Sequence, residues 1–142
     1  MTARKKRSPT RRAVKSAGTS LDRFLADHPP SIRTLTKQLR TIVRTTLPQS
    51  EETLQPKRKL LSYHLPHGKT KSHCCSIAPM DDQVRLLFPH GAFLSDRGGE
   101  RESSRSQQKF YVVRSRSDIR QKLFRTLIAE SAIYLLFKQT LL

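Results

Sequence analysis

The chain has 142 residues, 28 Lys and Arg against 11 Asp and Glu, a formal charge of +17 and 35% hydrophobic residues. That length buries one core and not two, and the charge favours polyanionic partners: nucleic acid, an acidic lipid surface or an acidic protein. Like-charge repulsion disfavours a shell of many copies, no apolar run approaches the roughly 18 residues of a transmembrane helix, and two adjacent cysteines make no disulfide framework.

Of the +17, a share of +7 lies in residues 1–20, carried by Arg4, Lys5, Lys6, Arg7, Arg11, Arg12 and Lys15 with no acid among them. This stretch offers almost no apolar surface to offset the entropy of ordering, so residues 1–18 are expected to form a disordered basic arm before a single domain over 19–142. No apolar segment follows the basic start, and Val14 alone cannot make an amphipathic transit helix. Export and organelle import are therefore not expected, and the cytoplasm is the expected location.

Ser20 is placed to cap a short helix, "LDRFLADH", which Pro29-Pro30 ends while opening the next. From Ser31 to Leu47, Ile32, Leu35, Leu39, Ile42 and Val43 fall on one face of a 3.6-residue period, and Pro48 stops the run. Arg33, Lys37, Arg40 and Arg44 form a stripe away from that face. A solvated helix surface explains such a stripe. Phosphate contact without sequence readout is the sharper alternative, because no acid interrupts the stripe and the basic arm lies one short helix upstream. With no helix-turn-helix, zinc finger or aromatic platform, specific recognition is not expected.

The period then shortens. "TLQ", "KLLSYHL", "HCCSIAP" and "QVRLLFP" alternate with turn-type pieces and read as an antiparallel meander. "HGAFL" predicts a turn of helix, "SDRGGERESSRSQQ" a polar loop long enough to be functional or mobile, and "KFYVVR" one more strand. Ser117-Asp118 is placed to cap a final helix with Ile119, Leu123, Leu127 and Ile128 on its buried side. The expected fold is α+β: an antiparallel sheet of four to five strands with helices on one face, in the order α-α-β-β-β-β-(short α)-β-α. The apolar end "IYLLFKQTLL" is expected to be a buried helix end, the alternative being an exposed patch for a homodimer.

Residues 21–129 resemble the YdhG-like domain family of small bacterial proteins. The resemblance rests on "LDRFLADHPPSIRTLTKQLRTIVRTTLP", on "HCCSIAPMDDQVRLLFPHGAFL" and on "KFYVVRSRSDIRQ". It implies an α+β fold with no established enzyme activity, and one member of that family is regarded as a frataxin-like iron chaperone. The chain departs from the family pattern at "QPKRKLL", where a Trp-Gly-x-Pro is usual, and at "SSRSQQK", where a glycine turn is lost.

A frataxin-like site needs a ridge of carboxylates for a hard cation, yet the acids nearest one another are Glu51-Glu52 and Asp81-Asp82, with Asp22 and Asp27 on the first helix and none on the second. No P-loop, HExxH or GxSxG occurs, so no enzyme and no cofactor are expected. The most metal-like stretch is "YHLPHGKTKSHCC", residues 63–75. Strand alternation predicts Leu61, Tyr63 and Leu65 on the core face with His64 opposite, and His73 and Cys75 on the face of Ile77 with Cys74 opposite beside Ser76. The two thiols would then diverge, leaving at most His64, Cys74 and His67 together, short of a structural zinc site. Adjacent Cα atoms also lie closer than disulfides prefer. No metal site is expected.

Overall fold

The computed structural model describes residues 20–67 and 69–141; the expected basic arm and its seven cations lie outside them. Residues 20–25 form helix α1, with Ser20 already helical and not its cap. Helix α2 spans Pro30–Thr46, with Pro29 at the N-cap and Pro30 in the first turn, where a missing N–H leaves no hydrogen bond unmade. Five strands follow as β1 (Glu51–Gln55), β2 (Leu60–His67), β3 (Thr70–Pro79), β4 (Val84–Phe88) and β5 (Lys109–Val113), and α3 closes the chain over Gln121–Leu141. Short 3-10 turns occupy Gly91–Phe93 and Arg116–Asp118.

All strand pairs are antiparallel and the sheet order is β1-β2-β3-β4-β5, a simple meander. The expected α+β order holds, with five strands and a 3-10 turn in place of the short helix. Helices α2 and α3 touch each other and lie over β3. Ile32, Leu35, Leu39, Ile42 and Val43 of α2 are all buried, as their spacing predicts, and α3 adds Phe124, Leu127, Ile128 and Leu135. The sheet answers with Leu61, Tyr63, Ile77, Val84, Leu86 and Phe88.

Two expectations are corrected, at the cap before α3 and at the apolar end of that helix. The cap before α3 is Ser115 and not Ser117: Ser115 and Asp118 make reciprocal capping-box bonds around the 3-10 turn. The loop after the Gly91–Phe93 turn is held down at several points. Asp96 accepts from the Tyr111 hydroxyl at 2.7 Å, its carbonyl accepts from Lys109 Nζ at 2.7 Å, and Ser95 donates to Glu130 of α3. Gly99, at φ +82, is the residue that lets this loop pass the Tyr111 ring, because a Cβ there would sit 2.8 Å from it. The apolar end of α3 is in part open to solvent: Ile133, Leu136 and Phe137 are 62%, 61% and 65% exposed.

The strongest departure lies in the β2–β3 hairpin. Tyr63 pairs with Cys75 but His64 pairs with His73, so Cys74 is an extra residue, a β-bulge. A bulge turns two successive side chains to one side, and both thiols are buried on the helix face. The Cys74 carbonyl accepts a bond from Ser131 Oγ of α3 at 2.9 Å, and its thiol points at the Ile128 carbonyl at 3.9 Å. Helix α3 thus supplies the partner that the interrupted ladder does not. Ser131→Ala leaves that buried carbonyl without this donor and is expected to cost about 1–2 kcal/mol, lowering the melting temperature by roughly 3–6 °C. An unchanged melt would contradict this account of the bulge.

Candidate nucleic-acid interface

The bulge sorts the ligand-type residues of residues 63–75 differently from regular alternation. His73 leaves the expected face of Cys75 and Ile77 and stacks on His64, ring centroids 4.9 Å apart, on the side of the sheet without helices. Cys74 leaves the expected company of His64 and Ser76 and joins Cys75 in the core. The pairing proposed for a three-ligand set, His64 with Cys74, is therefore broken by the backbone, and the side chain of His67 lies outside the described residues. Among the described residues no three His, Cys, Asp or Glu side chains are grouped to hold a metal ion. Thiol beside thiol, Cys75 lowers Cys74 and is itself raised by it, with burial adding to the rise.

The signal for the bulge was in the sequence. Counting back from Ile77 by twos puts polar His73 into the core and Cys74 out of it; one inserted residue reverses both assignments. Regular alternation divides the cluster along the wrong line.

On the helix-free face, opposite partners in the register share a side. Ser76, Leu87 and Phe110 make one row across β3, β4 and β5, continued on β2 by Ser62. Ala78, Arg85 and Val112 make the next. His73 Nε2 lies 2.6 Å from Ser76 Oγ and 3.2 Å from the Cys75 carbonyl, so this nitrogen carries the proton. Burial, with His64 beside it, holds His73 at about 4, and burial also lowers His64. Both rings are therefore neutral near pH 7. Arg85 places its guanidinium 4.3 Å from the Phe110 ring centre, and its buried Nε has no acceptor. Lys71 pairs with Glu51, the acid that the register puts on this face.

The α2 stripe is already engaged. Arg40 donates to both oxygens of Glu52, at 2.8 and 2.9 Å, and the buried Tyr63 hydroxyl donates to the same carboxylate at 2.6 Å. Burial alone would raise Glu52, but the bonds from Arg40 and Tyr63 outweigh it and hold the carboxyl below its usual range. Lys37 lies 3.4 Å from Asp22 in an exposed pair, and Arg33 donates to the His28 carbonyl at 2.6 Å. Arg44 is exposed near the end of the helix. Sequence reasoning found the stripe and missed its tie to the sheet, because the contact between positions 40 and 52 crosses a loop and leaves no periodic trace.

A cavity of about 430 Å³ opens between α1 and β1–β2, lined by Leu21, Phe24, Leu54 and Leu61 with Arg23 and Glu52 at its polar side. At the far end of the molecule, Phe93 stacks on Tyr134 at 5.2 Å beside the exposed Ile133 and Phe137. No helix among the described residues is long and apolar enough to cross a membrane.

His73 and Glu52 set an acid limit on stability. The folded pKa of His73, about 4, lies under its ordinary 6.5, so its contribution is complete above about pH 6.5 and lost as pH falls toward 4. Glu52, held below its ordinary 4.5, adds a second loss beneath that value. Thermal melts stepped down from neutral pH are expected to fall from about pH 6.5 onward, with His73→Gln flattening the upper part of the decline. A wild-type profile flat down to about pH 4.5 would contradict the assignment.

Comparison of the chain with protein-family models, with curated proteins and with solved structures finds no match in any of the three.

Proposed function

We propose that this is a non-enzymatic binding protein that contacts nucleic acid through charge and without base readout, in the cytoplasm. The observation that carries the reading is the charge of +17, combined with how the acids are disposed. Asp22, Glu51 and Glu52 each face a cation of the same chain, and 28 cations far outnumber 11 acids. Phosphates neutralised by Lys and Arg release counterions, which supplies affinity with no sequence preference.

Within the stripe the contact falls to Arg33, Lys37 and Arg44, with the arm cations Arg4 to Lys15 upstream. Arg40 serves the fold through Glu52. The exposed Lys37–Asp22 pair is worth little in water, so a phosphate exchanges for it readily. Membership of the YdhG-like domains is part of this reading, supported by the element order and the two-layer arrangement. The exposed strip at the end of α3 is where the reading places self-association. The alternative, a frataxin-like metal chaperone, has less support, because Asp22, Glu51 and Glu52 already hold cations and no three ligand-type side chains are grouped among the described residues.

The test is a fluorescence-anisotropy titration of labelled duplex DNA across salt concentration. Affinity is expected to fall by orders of magnitude between about 50 and 200 mM salt. Deleting residues 1–18 together with Arg33, Lys37 and Arg44→Ala is expected to weaken duplex binding at least ~100-fold and to flatten the salt slope. Arg40 is left intact so that the fold is not disturbed. Salt-independent affinity, or affinity retained by that variant, would overturn the proposal.

A further inference from the structure

Resting on the nucleic-acid reading above, we infer that the helix-free face of the sheet is a platform for single-stranded nucleic acid, with Arg85 stacking a base and the Lys57–Lys59 turn holding the backbone. The helices cover one side of the sheet, and among the described residues no helix covers the other. On that side the His64–His73 ring pair and the Arg85–Phe110 stack flank a row of small residues, Ser62, Ser76 and Ala78, whose two serines are buried between them.

Arg85 is the anchor. Phe110 is buried beneath its guanidinium, so the ring is not itself a stacking surface, but a guanidinium plane supported from below is one. Its buried Nε has no acceptor among the described residues. Among the described residues no acid is ion-paired with Arg85; Glu51 on the same face is taken by Lys71, and Glu100, bridged to Phe110, is the other acid on this side. The β1–β2 turn sets Lys57, Arg58 and Lys59 at the margin, all exposed. Arg58 leans back over the sheet, 3.3 Å from Gln55 Oε1 and close enough to His73 to act on its charge. Cations at the rim and uncharged polar groups on the floor complement a backbone outside and bases within.

Duplex DNA does not fit this face in the same way. Base edges in a duplex lie at the bottom of grooves that a helix or ribbon must enter, whereas a sheet surface meets bases only when they are unstacked and laid open. The arm and α2 contribute charge to either form; the sheet face distinguishes them.

The experiment compares labelled oligothymidylate with a duplex of the same length, using the full chain. Arg85→Ala is expected to weaken single-strand binding ~10-fold or more, with duplex affinity unchanged within about twofold. Arg85→Lys, which keeps the charge and loses the plane, should follow Arg85→Ala. Arg58→Ala, in an exposed turn outside the core, provides a variant that does not threaten the fold and should show the same selective loss to a smaller degree. Single-strand affinity retained in Arg85→Ala and Arg58→Ala while the duplex still binds would overturn this inference alone. Equal losses for both forms would overturn it too, since they would mark these residues as general charge. Failure of wild type to bind either form would overturn this inference and the reading beneath it.

Discussion

The bulge at Cys74 is the constraint on which the rest of the molecule depends. A regular β3 would turn His73 toward the helices and Cys74 away from them, burying an imidazole where α3 now packs. One extra residue reverses this: two small, apolar thiols enter the core, and two imidazoles meet on the outside. At the break the Cys74 carbonyl accepts a bond from Ser131 of α3. Sheet register and helix position are thereby coupled, because α3 must lie where its serine reaches the bulge.

On the other side of the core, Tyr63 extends from the residue opposite the bulge to Glu52, which Arg40 grips with two donors. This fastens α2 to β1 and β2 through a carboxylate with three donors. Removing one member of such a network leaves the others poorly matched in a half-buried site. It also accounts for part of the charge distribution: Asp22, Glu51 and Glu52 each take a cation of the same chain. The helix-free face holds one such pair, Glu51 with Lys71.

Elements whose burial repeats with a fixed period were legible in the sequence. Helix α2 was, because five apolar residues mark one face between two proline stops; so were the strands, because turn-type pieces separate them. What escaped were contacts set by tertiary placement. Ser115 rather than Ser117 caps the last turn because a 3-10 turn intervenes, and composition does not distinguish the two serines. The end of α3 reads as apolar all round, yet Ile133, Leu136 and Phe137 are largely open to solvent. Of the candidate site, the α2 cations were found and their internal partners were not. The stack of Arg85 on Phe110 joins residues 25 positions apart in the chain and was not anticipated at all. The loop before β5 is tied at its start through Asp96 and Ser95, since Tyr111, Lys109 and Glu130 reach it from distant positions.

Charge attracts a polyanion, while the two faces of the sheet decide where it settles. The most direct measurement is a backbone-amide NMR titration of the full chain with a single-stranded oligonucleotide at moderate salt. The account expects perturbations along β2, β3 and β4 around Ser62, Ser76 and Arg85 and in the Lys57–Lys59 turn, with the Phe93–Tyr134 end of α3 unmoved. Perturbations centred on the apolar end of α3, or a sheet that stays silent at saturating oligonucleotide, would contradict it.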